Sequence, residues 1–144
     1  MKIAILVLMF AFVAAHAAGN AHASAMSESR TTTGVGDESI NRSLAEEFVK
    51  CASFNDVAAA CARKGTRENR EKTAAGHEDL AKRFHKGGHI IAGQEFTNQR
   101  RKFHDAAMRR NAGATCEEFP KLEQQHLKRC EDSLKRLPRQ LRQP

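Results

Sequence analysis

Four cysteines, at positions 51, 61, 116 and 130, constrain this chain more tightly than any other feature. Each pair is embedded in a stretch whose apolar residues recur at helical steps. Cys51 and Cys61 are ten residues apart, about 15 Å along a helix, so they cannot bond to each other unless that helix breaks. Their partners must come from the far end of the chain. In two antiparallel helices, bridged residues keep a nearly constant sum of residue numbers. Pairing Cys51 with Cys130 and Cys61 with Cys116 leaves a mismatch of only four residues, whereas the crossed pairing misses by several helical turns. The mismatch is absorbed if the last helix starts at Pro120, whose fixed φ suits a first helical turn. Cys116 then belongs to the preceding turn and folds back toward Cys61. The expected frame is a helical hairpin clamped by two nested disulfides, each closing a long loop worth on the order of 4 kcal/mol in the chain-entropy model.

Bridged cysteines imply an oxidising compartment, and the N-terminus agrees. Lys2, an apolar run from Ile3 to Ala15, and an alanine-rich stretch ending in Ala21-His22-Ala23 and Ala23-Ser24-Ala25 follow the order of a secretory signal. The apolar run falls short of the roughly 20 residues of a membrane span. Cleavage is expected near Ala23, with Ala17 and Ala25 as alternatives, and the product would be periplasmic or secreted. The expected organisation is a signal peptide over 1–23, a flexible Ser/Thr/Gly-rich leader over 24–37, a helical domain over 38–138 and a basic tail over 139–144. About 120 exported residues suffice for one compact domain. No Cys-x-x-Cys stands in the sequence, so a thioredoxin-like redox role is disfavoured. The spacing Cys51-x9-Cys61 resembles one half of the twin-cysteine helical hairpins of the mitochondrial intermembrane space, which also pair their cysteines in nested fashion. The thirteen residues between Cys116 and Cys130 depart from that pattern, so the likeness is one of geometry.

Four helical segments are expected. The first runs from about Ser39 to Lys64, with Ile40, Leu44, Phe48, Cys51, Phe54, Ala58 and Cys61 on its apolar side. Ser53 and Asn55-Asp56 are places where it could break, and Gly65 offers its stop. The second spans about Arg67 to Lys86 behind a Thr66 cap, with a stripe of Thr73, His77, Leu80 and Phe84, and Gly87-Gly88 is expected to end it. The third, from about Ile90 to Asn111, places Ala92, Phe96, Phe103, Ala106 and Ala107 on its apolar side, and Gly113 closes it. The fourth begins near Pro120, runs a seam of Leu122, His126, Cys130, Leu134 and Leu137, and stops at Pro138. Nothing alternates as a strand does. The fold class expected is all-α, an antiparallel four-helix bundle braced by two nested disulfides.

Lys and Arg number 24 against 17 Asp and Glu, a formal net charge of +7, which favours anionic partners. The candidate contact residues are Arg100, Arg101, Lys102, Arg109 and Arg110 on the third helix, with Lys128, Arg129, Lys135, Arg136, Arg139 and Arg142 toward the C-terminus. The leucine and arginine of 134–141 suggest peripheral contact with an anionic membrane. There is no Trp and no Tyr, which disfavours sugar and single-stranded nucleic acid binding, where flat rings stack on the ligand. The six Phe beyond the signal segment are expected in the core. His85 and His89 have the four-residue spacing of a helical metal pair, but Gly87-Gly88 lies between them. His77 and His104 are the other histidines that could join them; no metal or cofactor is expected outright. No catalytic constellation is visible: Gly87-Gly88-His89-Ile90-Ile91-Ala92-Gly93 lacks the strand and the Gly-Lys-Ser/Thr of a P-loop. The expected function is non-catalytic binding of a protein or anionic envelope component through the basic surface. A histidine-dependent metal-binding protein or envelope hydrolase is one alternative, and a secreted effector or inhibitor is another.

Overall fold

The computed structural model describes residues 34–66 and 68–143, and the expected signal segment and most of the expected leader lie outside the described residues. Four α-helices follow one another, α1 (Gly34–Lys64), α2 (Arg70–Ala92), α3 (Gln94–Ala112) and α4 (Phe119–Arg136), and a 3-10 turn covers Arg139–Leu141. There is no strand among the described residues. α1 begins at Gly34, ahead of the expected start, so Gly34–Asp37 is helical rather than leader.

α1 is the element on which the other three helices pack. Its sequence explains why: Ala45, Phe48, Val49, Cys51, Ala52, Phe54, Val57, Ala58 and Ala59 are all buried, more than one stripe's worth of apolar surface. Phe48 meets Phe84 of α2 at 5.9 Å between ring centroids, and Phe54 stacks on Phe119 of α4 at 6.1 Å. The helix runs unbroken through Ser53, Asn55 and Asp56. Asn55 is tolerated at depth because its amide donates to the Cys51 carbonyl at 2.8 Å and its oxygen accepts from His77 Nδ1 at 2.9 Å. α1 stops where expected, with the Gly65 N–H on the Cys61 and Ala62 carbonyls.

Both disulfides form, and they nest as expected: Cys51 with Cys130, Cα atoms 5.4 Å apart, and Cys61 with Cys116, 5.7 Å apart. Cys116 lies in the α3–α4 turn, where it takes a φ of 67°, and Pro120 stands in the first turn of α4. Gly113, at φ 79°, turns the chain out of α3. The turn is held to the end of α1 by Lys64, whose ammonium donates to the Ala114 carbonyl at 2.6 Å. Two bridges of this kind point to an oxidising environment. None of the described helices is long and apolar enough to cross a membrane.

The sequence misleads at Gly87-Gly88. These residues do not end α2, which starts at Arg70 rather than Arg67 and continues to Ala92; Gly93, at φ 82°, makes the break before α3. The two glycines are buried contact points. A Cβ at Gly87 would stand 2.5 Å from Leu137 Cδ2 and 3.1 Å from the Phe48 ring, and one at Gly88 would stand 3.1 Å from Thr97 Cγ2. Here the missing side chain serves close helix approach instead of a turn. The buried face of α2 accordingly runs through Ala74, Ala81, Phe84, Gly87 and Gly88, with Thr73 exposed and Leu80 half-buried.

α3 is rotated relative to the expected stripe. Thr97, His104, Met108 and Ala112 are buried, whereas Phe103 is 59 % exposed and Ala106 is exposed. The C-terminal residues do not form a free tail. Leu137 is fully buried and Leu141 is 6 % exposed, the Arg142 Nε donates to the Leu137 carbonyl at 2.6 Å, and Arg83 of α2 donates to the Arg142 carbonyl at 3.0 Å. The leucines needed for the expected membrane contact are therefore spent in the core.

Candidate functional site

The eleven basic residues expected to form one surface divide into two groups, because α1 carries acids that claim several of them. Arg100 reaches Glu46 with two hydrogen bonds, from Nε at 2.6 Å and Nη2 at 2.5 Å, and His104 Nε2 donates to the same carboxylate at 2.6 Å. The Arg100 guanidinium outweighs the opposing effect of burial and, with His104, holds the Glu46 carboxyl down at about 2. Arg101 bonds Asp56 at 2.5 Å and lies 3.7 Å from Asp105. α3 therefore docks on α1 through paired charges, and Arg100 and Arg101 are structural rather than available. The spacing of Glu46 and Asp56, ten residues apart on α1, was the only sequence signal for this, and it acquires meaning only once α3 is laid alongside.

The same division applies farther along. Arg136 bonds Glu47 at 2.7 Å, Arg129 lies 3.9 Å from the same carboxylate, and Lys135 bonds Asp132 at 2.8 Å. Arg142 is turned onto the backbone of Leu137. Lys102, Arg109, Arg110, Lys128 and Arg139 remain, each exposed and without an ion pair among the described residues.

Three of those five share α3. Lys102 and Arg109 are seven residues apart with exposed Ala106 between them, which is one helical face, and Arg110 adjoins it. Phe103 lies on this side as well, with the Arg100 guanidinium 5.2 Å from its ring centroid. The outer face of α3 is thus a cationic strip around an exposed aromatic ring. The helical spacing of Phe103 from Phe96 imitates a core position. The stripe that is buried carries Thr97 and His104, polar residues that a hydrophobic pattern passes over.

The histidines do not converge. His77 is engaged with Asn55, and burial pushes its imidazole below the ordinary value. His104 is on Glu46. His126, outside the expected set, lies against Phe54 at 5.8 Å and is also pushed down by burial, with Arg129 adding to it. Among the described histidines only His85 and His89 meet, with ring centroids 4.2 Å apart, since α2 is continuous between them. No group of three His, Cys, Asp or Glu capable of holding a metal occurs among the described residues.

A half-open cleft of about 460 Å³ lies at the Cys61–Cys116 end of α1, lined among others by Arg70, Thr73, His77, Phe119 and Glu123. With Asn55 accepting from Nδ1, the neutral His77 ring has Nε2 as its acceptor. The cleft combines a disulfide wall, an apolar floor and a few polar groups.

No protein-family model matches the chain, and neither a curated protein nor a solved structure shows significant similarity to it.

Proposed function

We propose that this protein is an exported, non-catalytic binding protein: an antiparallel four-helix bundle, released from the signal peptide over 1–23, that contacts an anionic envelope component through the outer face of α3. The observation that carries this reading is the strip of Lys102, Arg109 and Arg110, exposed and in no ion pair among the described residues, around an exposed Phe103. Cations left unpaired on one rigid face give a partner with negative charge a steering field and a site of attachment, and an exposed ring adds an apolar anchor. Of the residues expected to form the basic surface, Lys128 and Arg139 are also without an ion pair among the described residues and could extend the contact. An acidic protein presents the same chemistry and is the other partner that fits.

Photo-cross-linking in the native compartment tests the assignment. A photoreactive residue at Ala106, at the centre of the α3 strip, should give one dominant adduct that fades when Lys102, Arg109 and Arg110 are changed to Gln. The same probe at Ala75, an exposed alanine of α2, should give little. Equal capture from both positions, or capture at Ala106 that survives the three substitutions, would overturn the proposal. Mass analysis of the adduct separates an envelope component from an acidic protein.

A further inference from the structure

The continuity of α2 has a chemical result, since it places His85 and His89 one turn apart on a single face. Their rings are 4.2 Å apart and tilted by 57°. His85 Nε2 is buried without a hydrogen bond, while the Asn98 side chain also acts on the His85 ring. His89 Nε2 faces the Asn98 carbonyl oxygen of α3 at 3.3 Å. Two imidazole rings in contact and an amide oxygen against one of them are thus brought together from both sides of the Gly93 break.

We propose that His85, His89 and Asn98 form a binding site for a divalent transition-metal ion of the zinc or copper class, with water completing the coordination. Imidazole is the side chain these borderline ions prefer, and the four-residue helical spacing is the one that directs two imidazoles at one ion. The ion would give the orphaned His85 nitrogen a partner. It would also take the lone pair of His89 Nε2, the ring's single proton moving from Nε2, where it faces Asn98 Oδ1, to Nδ1. Arg101 is the cation that acts on His85, and its pairing with Asp56 at 2.5 Å and Asp105 at 3.7 Å offsets part of its repulsion. The site would staple the end of α2 to the start of α3. Asn98 stands one turn before Lys102 on α3, but the site rests on the two imidazoles of α2, so its test with Zn(II) alone is read independently of the function proposed above.

The experiment is a titration of the full chain with Zn(II) alone, followed by calorimetry and by the NMR resonances of the histidine rings. One equivalent should bind and shift the His85 and His89 rings. His85→Ala and His89→Ala should each weaken binding by more than about tenfold, at least the loss seen when a supporting group of a metal site is removed. Asn98→Ala should weaken it less, and His77→Ala and His104→Ala should leave it unchanged. His89 is only half-buried, so its variant keeps the test valid should His85→Ala lose helicity by circular dichroism. Absence of saturable uptake, uptake that moves other histidines and leaves these two still, or wild-type affinity in the double variant would overturn the proposal.

Discussion

Replacing Gly87 with Ala probes the least expected feature of the fold. In a helix interior, Gly→Ala ordinarily stabilises by about 1 kcal/mol. Gly76, also within α2, is the reference, since a Cβ there meets nothing within 4 Å. Gly76→Ala should therefore raise stability by about that amount, or roughly 4 °C in Tm for an ordered region of this size. At Gly87 the new Cβ would lie 2.5 Å from Leu137 Cδ2 and 3.1 Å from the Phe48 ring. Carbon atoms in contact prefer about 3.5–4.0 Å, so Leu137 must retreat by more than about 1 Å. It has little room, being fully buried, with its N–H on the Leu134 carbonyl at 3.3 Å and Pro138 next in the chain. Overpacking of this kind costs roughly 1–3 kcal/mol. Taking the upper part of that range and subtracting the helix gain leaves a net loss of about 2 kcal/mol. Urea unfolding of the oxidised protein, followed by circular dichroism, measures both variants. A double-mutant cycle then isolates the cause: in a Leu137→Ala background the clash disappears, and Gly87→Ala should become neutral or stabilising. Additive effects, with no coupling between positions 87 and 137, would refute the close-packing argument and restore the reading of Gly87-Gly88 as a turn.

Three further outcomes follow from the same contacts. The Glu46 carboxyl, held at about 2 in the folded protein against an ordinary value of 4.5, contributes stability that is fully present above pH 4.5 and is lost as pH falls toward 2. After allowance for screening at the partly exposed Arg100, that contribution is on the order of 2 kcal/mol, so Glu46→Gln should flatten the acid limb of stability measured by urea unfolding at successive pH values. Cys61 and Cys116 are each half-buried beside the cleft, whereas Cys51 and Cys130 are buried; limited reduction followed by alkylation and peptide mass mapping should label the former pair first, and early labelling of Cys51 would contradict the burial argument. Phe84→Ala should cost about 3–5 kcal/mol in thermal or urea unfolding, whereas Phe103→Ala should cost less than about 1 kcal/mol.

The features readable from the sequence were those set by geometry along the chain. Ten residues of helix cannot bring Cys51 to Cys61, Pro120 marks the start of α4, and Gly65 and Gly113 end helices, so the disulfide pairing and the helix count followed. The features missed were those set across helices. Gly87 looks the same in a turn and in a close contact until Leu137 and Phe48 are placed over it. Arg100 and Arg101 look like surface until Glu46 and Asp56 face them, and Leu141 looks like a loose tail until it is seen in the core. α3 misled for a related reason. Its buried stripe includes Thr97 and His104, whose polar atoms are bonded to the Gly93 carbonyl and to Glu46, while an exposed Phe imitated a core position. Of the candidate site, the cationic character was legible, but which cations are unpaired was not.

Binding to vesicles containing anionic lipid, measured by co-sedimentation at increasing salt, tests the central proposal most directly. The protein should bind at low ionic strength and lose affinity steeply as salt shortens the range of the charges. The Lys102→Gln, Arg109→Gln, Arg110→Gln variant should lose most of the binding and most of the salt dependence, while a variant altered at the ion-paired Lys135 should behave as wild type. Binding that is insensitive to salt, or unchanged in the triple variant, would contradict the assignment of the α3 outer face.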